Sequence, residues 1–184
     1  MKKVFLVHGL GGFPNGGWRP WIMMQLKKLD IYACSLAMPN FNHPICEEWV
    51  DEIKKVVDIN CNDELFLVGH SLGVSAVIRY LESYYDKRNI KGVVLVSGPM
   101  PENQENLSSF LDFPYDFKQV KSKEILFHVI HGDDDPVVPV AHGEQIAKNL
   151  ECDLTIIPNG MHLNGSSGHT QLPQLMNVLT KMIN

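Results

Sequence analysis

The stretch 64-ELFLVGHSLGVSAVIRY-80 decides how the rest of the chain is read. Leu65-Phe66-Leu67-Val68 is a short, unbroken apolar run, the pattern of a strand buried on both faces. Gly69-His70-Ser71-Leu72-Gly73 follows at once, and the residues from Val74 to Tyr84 suit a helix that is apolar nearly all round. A serine held in so sharp a strand-to-helix turn takes strained backbone angles, and side chains two residues to either side would collide. Glycine at 69 and 73 removes those collisions. The turn would hold the Ser71 hydroxyl above the sheet, with the Leu72 N–H pointing where an oxyanion would form. The plainer reading is a glycine-rich turn with a surface serine, and the flanking strand and helix argue against it.

On either side of this stretch, short apolar runs alternate with helical spacing. Residues 4–7, 31–36, 93–96, 125–130 and 154–157 read as five further strands. Trp21, Ile22, Leu26 and Leu29 recur at helical spacing, with Pro20 tolerated in the first turn. Ile45, Trp49, Ile53, Val56 and Val57 line one face of a second helix, its acids early and Lys54 and Lys55 late, as the helix dipole favours. Residues 140–150 suit another helix, and Leu172, Leu175, Met176, Leu179 and Met182 a last amphipathic one. The alternation predicts a three-layer α/β domain over residues 1–184: about six mostly parallel strands with helices on both faces. Residues 100–123 are the irregular part, with scattered aromatics (Phe110, Phe113, Tyr115 and Phe117) and a possible short helix at 107–111. The segment follows a strand's carboxyl end. It is either a small cover shaping a pocket beside Ser71 or a satellite core under a loop.

Composition narrows the function. Sixteen basic and 21 acidic residues give a net charge of −5, which disfavours nucleic acid and anionic membranes as partners. The four cysteines, Cys34, Cys46, Cys61 and Cys152, form no C-x-x-C pair, so neither a zinc site nor a redox motif is suggested. Cys34 and Cys152 fall in expected strands and read as small core residues. The amino terminus has too short an apolar run for a signal peptide, and no stretch reaches transmembrane length, so a cytoplasmic protein is expected.

An activated serine needs a base, and the base needs an orienting acid. Loops after the carboxyl ends of parallel strands share one edge of the sheet. Ser71 follows the third strand, Asp133-Asp134-Asp135 the fifth and His162 the sixth. Of the eight histidines, His128 sits mid-strand, His142 at a helix start and His43 in a distant loop. His8 and His70 lie beside the site but are badly placed to act as base, and His131 precedes the acidic run. His169 is the rival to His162, which is preferred because it comes just after the strand end. Three adjacent carboxylates could instead bind a cation, although no further oxygen ligands are evidently arranged to complete such a site.

Four pieces, VHGLGG (7–12), GHSLG (69–73), GDDDPVVP (132–139) and GMHLNGSSGH (160–169), resemble those of the small serine hydrolases of the retinoblastoma-binding-protein-nine and YdeN type. Together they span nearly the whole chain. The resemblance implies a compact α/β-hydrolase core with no large lid domain. It implies Ser71 as nucleophile, Asp135 rather than Asp134 or Asp133 as acid, and His162 as base. The N–H groups of Leu10 and Leu72 would be the oxyanion donors, and no metal or cofactor is implied. The chain departs from the retinoblastoma-binding L-x-C-x-E motif, since Pro44 stands where leucine is required in Pro44-Ile45-Cys46-Glu47-Glu48. Binding through that motif is not supported.

The expectation is therefore a serine hydrolase of small carboxylic esters, thioesters or activated amides, acting through an acyl-serine. Phe13, Trp18 and Phe113 are candidates for an apolar substrate pocket, or else plain packing residues. A binding or regulatory module on the same scaffold is the alternative from another class, and an acyltransferase the nearer one.

Overall fold

Six strands make one sheet in which every pairing is parallel. They are β1 (Lys2–Val7), β2 (Tyr32–Ser35), β3 (Glu64–His70), β4 (Ile90–Val96), β5 (Leu126–Gly132) and β6 (Asp153–Ile157), in the spatial order β2-β1-β3-β4-β5-β6. The structure is a computed structural model and describes residues 1–83, 89–102 and 107–184. Side chains alternate across a strand, and here both sets are apolar. Val4, Leu6, Phe66, Val68, Val94 and Val96 belong to the core on one face. Phe5, Val7, Leu65, Leu67, Val93 and Leu95 belong to the core on the other. A sheet apolar on both faces has to be covered on both.

The first face is covered by α1 (Arg19–Lys27) and α7 (Pro173–Ile183) through Ile22, Leu26, Leu175 and Leu179. The second is covered by α2 (Cys46–Ile59), α3 (Leu72–Ser83) and α6 (Val140–Leu150). In α2 the fully buried stripe is Trp49, Ile53 and Val57, each contributing about 1.5–3 kcal/mol by leaving water. Pro20 sits in the first turn of α1, where its missing N–H costs no hydrogen bond. After α6 the chain turns away at Glu151, in the left-handed region at φ +52°.

The elements keep the expected order, with ends shifted by up to three residues; β4, for example, begins at Ile90 rather than Val93. Strands β3 and β5 run on past their apolar residues to His70 and Gly132, so a histidine, His70 or His131, stands at or next to each end where the chain approaches the site. Cys152 precedes β6 rather than lying in it, its N–H closing the α6 turn on Ala147. The helix after Ser71 starts at Leu72 and is described to Ser83; Tyr84 lies outside the described residues.

The irregular segment resolves as the satellite core. It holds α4 (Ser108–Leu111), as expected, and α5 (Phe117–Lys121). Phe110 is fully buried edge-on to Trp49, with ring centres 5.5 Å apart. The Tyr115 hydroxyl lies 2.8 Å from Ser75 Oγ. Arg79 of α3 stacks on the Tyr115 ring at 4.7 Å and donates to the Phe110, Phe113 and Pro114 carbonyls. The segment is thus clamped onto α2 and α3.

The strand order places the site. From β1 the chain steps outward to β2, then crosses back to β3 on the other side of β1. The connections leave in opposite directions at β1 and β3, and their carboxyl ends border a crevice.

Candidate active site

Ser71 occupies the corner between β3 and α3 with φ +55°, a left-handed conformation that is strained for a residue with a Cβ. Neighbouring contacts hold it there: Ser71 N–H donates to the Val96 carbonyl (2.9 Å), and the Ser71 carbonyl accepts from Val74 N–H (2.9 Å). The two glycines are needed for the reason read from the sequence. A Cβ at Gly69 would lie 2.7 Å from the Gly73 carbonyl oxygen, and one at Gly73 would lie 2.5 Å from that of Val7. A third close approach was not foreseen: a Cβ at Gly9 would fall 2.7 Å from Ser71 Cβ.

Three residues from three strand ends meet at this corner. His162 Nε2 lies 3.0 Å from Ser71 Oγ, and His162 Nδ1 lies 2.8 Å from Asp135 Oδ2. A carboxylate only accepts, so Nδ1 carries the proton and Nε2 faces the hydroxyl as an acceptor. The other Asp135 oxygen accepts from the Val137 (2.8 Å) and Val138 (2.9 Å) N–H groups. Burial opposes the Asp135 charge. Hydrogen bonding by His131 and His162 and these two amides outweighs it and holds the carboxyl well below the usual range.

The acidic run that left the choice of residue open divides its work. Asp133 accepts from Asn159 N–H (2.8 Å) and Asp134 from Met161 N–H (2.6 Å), so both tie the His162 loop back to the end of β5. Among the described residues no group of three His, Cys, Asp or Glu side chains is arranged to hold a metal ion. The His162 loop needs ties. Asn159, Met161 and Leu163 all have positive φ, between 47° and 53°, at a cost of about 1 kcal/mol or more each. His169 is one of these ties, 2.8 Å from the Gly160 carbonyl, and it does not approach Ser71.

Two supports carry roles that the sequence does not signal: His70, badly placed as a base, and Trp18, read from the sequence as a pocket or packing residue. His70 Nε2 donates to the His162 carbonyl (2.9 Å), and the two rings lie 5.1 Å apart. Burial first, then the neighbouring His162, pushes the His70 pKa down to about 3, so the ring is a neutral donor. Trp18 packs edge-on to His70 and donates from Nε1 to the Leu163 carbonyl (2.7 Å). A loop carbonyl 145 residues away is no local signal. His8 is likewise buried and held neutral, chiefly by desolvation. It touches Trp49 edge-on and accepts from Met38 N–H (3.4 Å).

The cleft over Ser71 has a volume of about 400 Å³. Backbone makes most of its wall: Gly9, Gly11, Gly12, Gly16, Gly17 and Gly165 border it, with Leu10, Phe13 and Arg19. Of the three candidate pocket aromatics it takes in only Phe13. Trp18 is fully buried beneath the site and supports it, and Phe113 is 73% exposed on the α3 side, outside the cleft. Leu10 borders the cleft; the Gly11 and Gly12 N–H groups beside it donate to Phe41 and Gly9 carbonyls. Leu72 opens α3, so its N–H has no carbonyl one turn back.

A parallel sheet covered on both faces, with a serine on a strand-to-helix corner of left-handed φ, defines the α/β-hydrolase class. The chain belongs to the serine hydrolase family, whose pattern matches residues 4–181. It is 30% identical over 182 residues to the YdeN hydrolase of Bacillus subtilis (strain 168), covering 97% of this chain and 95% of that protein. It is 23% identical to the serine hydrolase RBBP9 of Rattus norvegicus, covering 97% and 96%. The crystal structure of the ydeN gene product from B. subtilis superposes with a TM-score of 0.91 at 28% identity, covering 100% of this chain and 99% of that one. Among the described residues no helix is long and apolar enough to cross a membrane.

Proposed function

We propose that this protein hydrolyses small carboxylic esters, with thioesters and activated amides as related substrates, through an acyl-Ser71 intermediate. The observation that carries the reading is the chain of contacts Ser71 Oγ, His162 and Asp135, at 3.0 and 2.8 Å. In this reading His162 Nε2 takes the Ser71 proton as Oγ attacks the carbonyl carbon. Asp135 keeps the ring in that tautomer and stabilises its charged form. The N–H groups of Leu10 and Leu72 receive the developing oxyanion, worth about 3 kcal/mol per donor. His162 then gives its proton to the leaving alcohol, and later activates the water that releases the acid. Phe13 supplies apolar contact at the mouth of the cleft.

Initial rates on p-nitrophenyl acetate, butyrate and octanoate test this, with wild type, Ser71→Ala, His162→Ala and His169→Ala. Ser71→Ala and His162→Ala should each lower turnover by about 1,000-fold or more, while folded His169→Ala keeps the reaction. Absence of turnover in wild type, together with absence of fluorophosphonate labelling at Ser71, would turn the reading to a binding module.

A further inference from the structure

We propose that the cleft selects esters bearing a carboxylate, and that Arg19 is the residue that recognises it; the inference rests on Ser71 being the nucleophile. Arg19 borders the cleft together with Ser71, His70 and His162, yet it is 94% buried by relative area, being 6% exposed. It is the one lining residue with a permanent charge, in a chain whose net charge is −5. Among the described residues no carboxylate comes within 4 Å of its guanidinium. A guanidinium has five N–H donors and no acceptor. Nη2 donates to the Phe13 carbonyl (3.0 Å), the group lies 5.6 Å from the Trp18 ring, and Nε is buried without a hydrogen-bond partner.

A buried cation left so poorly paired is unfavourable unless an anion completes it. Desolvation alone lowers its pKa, to about 10, so it stays charged at neutral pH. Room for it is built in: a Cβ at Gly16, itself on the cleft wall, would come within 2.7 Å of Nη2. Leu10, Phe13 and the glycines offer apolar and main-chain contact, and no lining residue is acidic. The planar fork of arginine fits a carboxylate with two parallel hydrogen bonds.

The test compares kcat/KM for matched pairs, each corrected for its uncatalysed rate. Mono-4-nitrophenyl adipate against 4-nitrophenyl methyl adipate places the charge on the acyl side. The 3-acetoxybenzoate anion against methyl 3-acetoxybenzoate places it on the alcohol side. At least one pair should favour the anion by about tenfold or more in wild type, with the preference shrinking as salt rises. The ratio should fall toward one in Arg19→Gln and survive in part in Arg19→Lys. Should Arg19→Gln not fold, adipate should still slow fluorophosphonate labelling of wild-type Ser71 where hexane-1,6-diol does not. Equal or better turnover of the neutral ester in both pairs overturns the inference and leaves the esterase reading standing. A preference that persists unchanged in folded Arg19→Gln also overturns it. No turnover of any of the four esters, with no labelling of Ser71, overturns both.

Discussion

The loop leaving β1 and the segment leaving β4 begin alike and end in opposite roles. Each follows a buried parallel strand at its carboxyl end, is irregular, and carries aromatics and proline. The β1 loop becomes the wall of the cleft, while the β4 segment becomes a second layer over α2 and α3. Two physical differences separate them. The β1 loop stands at the crevice where the chain changes direction across the sheet, and its glycines let backbone approach Ser71 closely. The β4 segment carries Phe110, Leu111 and Tyr115, whose burial on α2 and α3 is worth more than lining an open cleft. Position after a strand is therefore not enough to make a site; what the side chains can bury decides.

The largest expected effect tests the packing half of this contrast. Phe110→Ala should cost about 3–5 kcal/mol of stability in urea unfolding, while kcat/KM measured on the folded protein stays within about threefold of wild type. A collapse of activity in that folded variant would return the β4 segment to the site.

The cleft and the β4 segment should also fail at opposite ends of the pH scale. His70, with its pKa pushed down to about 3 in the fold, refuses a proton that the unfolded chain accepts below its ordinary 6.5. Stability from this group is complete above pH 6.5 and is lost as pH falls toward 3, on the order of 3 kcal/mol between pH 7 and pH 4. His8 acts in the same direction, its neutral form favoured by burial. Tyr115 is the reverse case. Burial raises its pKa, so its contribution is complete below the ordinary value of 10.0 and is lost above it, as the unfolded chain ionises. Unfolding free energies across the range should show an acid slope that flattens in His70→Gln and an alkaline slope that flattens in Tyr115→Phe. An unchanged acid slope in His70→Gln would contradict the reading of a neutral support beneath His162.

A third change probes the close backbone approach. Gly9→Val places a branched side chain where a Cβ alone would sit 2.7 Å from Ser71 Cβ, and should lower ester turnover by about 100-fold. Wild-type rates in that variant would mean that the loop yields freely and does not shape the site. The smallest effects distinguish the two exposed aromatics. Phe13→Ala should raise KM for p-nitrophenyl octanoate by roughly threefold to tenfold, one lost apolar contact, whereas Phe113→Ser should leave kinetics unchanged and stability within about 0.5 kcal/mol. The opposite ranking would break the comparison.

Much of this was legible in the amino-acid order. Apolar runs of strand length alternating with helical spacing are local patterns, and they specified a parallel sheet covered on both faces. The demand for glycine at 69 and 73 is also local, arising within one turn of chain, and so the corner at Ser71 could be read directly. The sixth strand followed by His162 marked the loop that supplies the third partner. The residues themselves left Asp133, Asp134 and Asp135 open, and only the resemblance favoured Asp135. The fold separates them through which N–H each carboxylate faces: Asn159 for the first, Met161 for the second, and Val137, Val138 and His162 for the third.

What the sequence by itself determined is the class of fold, the strained serine and the strand ends from which its partners could come. Periodicity and steric exclusion act between near neighbours, so the order of residues carries them. What only the tertiary structure decided is which side chains converge. His162 reaches Ser71 across 91 positions of sequence, Trp18 holds the Leu163 carbonyl across 145, and Arg19 lies beside the cleft with no carboxylate partner among the described residues, while Phe113 lies outside it. Those outcomes depend on sheet order and on competition for buried area across the whole molecule, which no local pattern records.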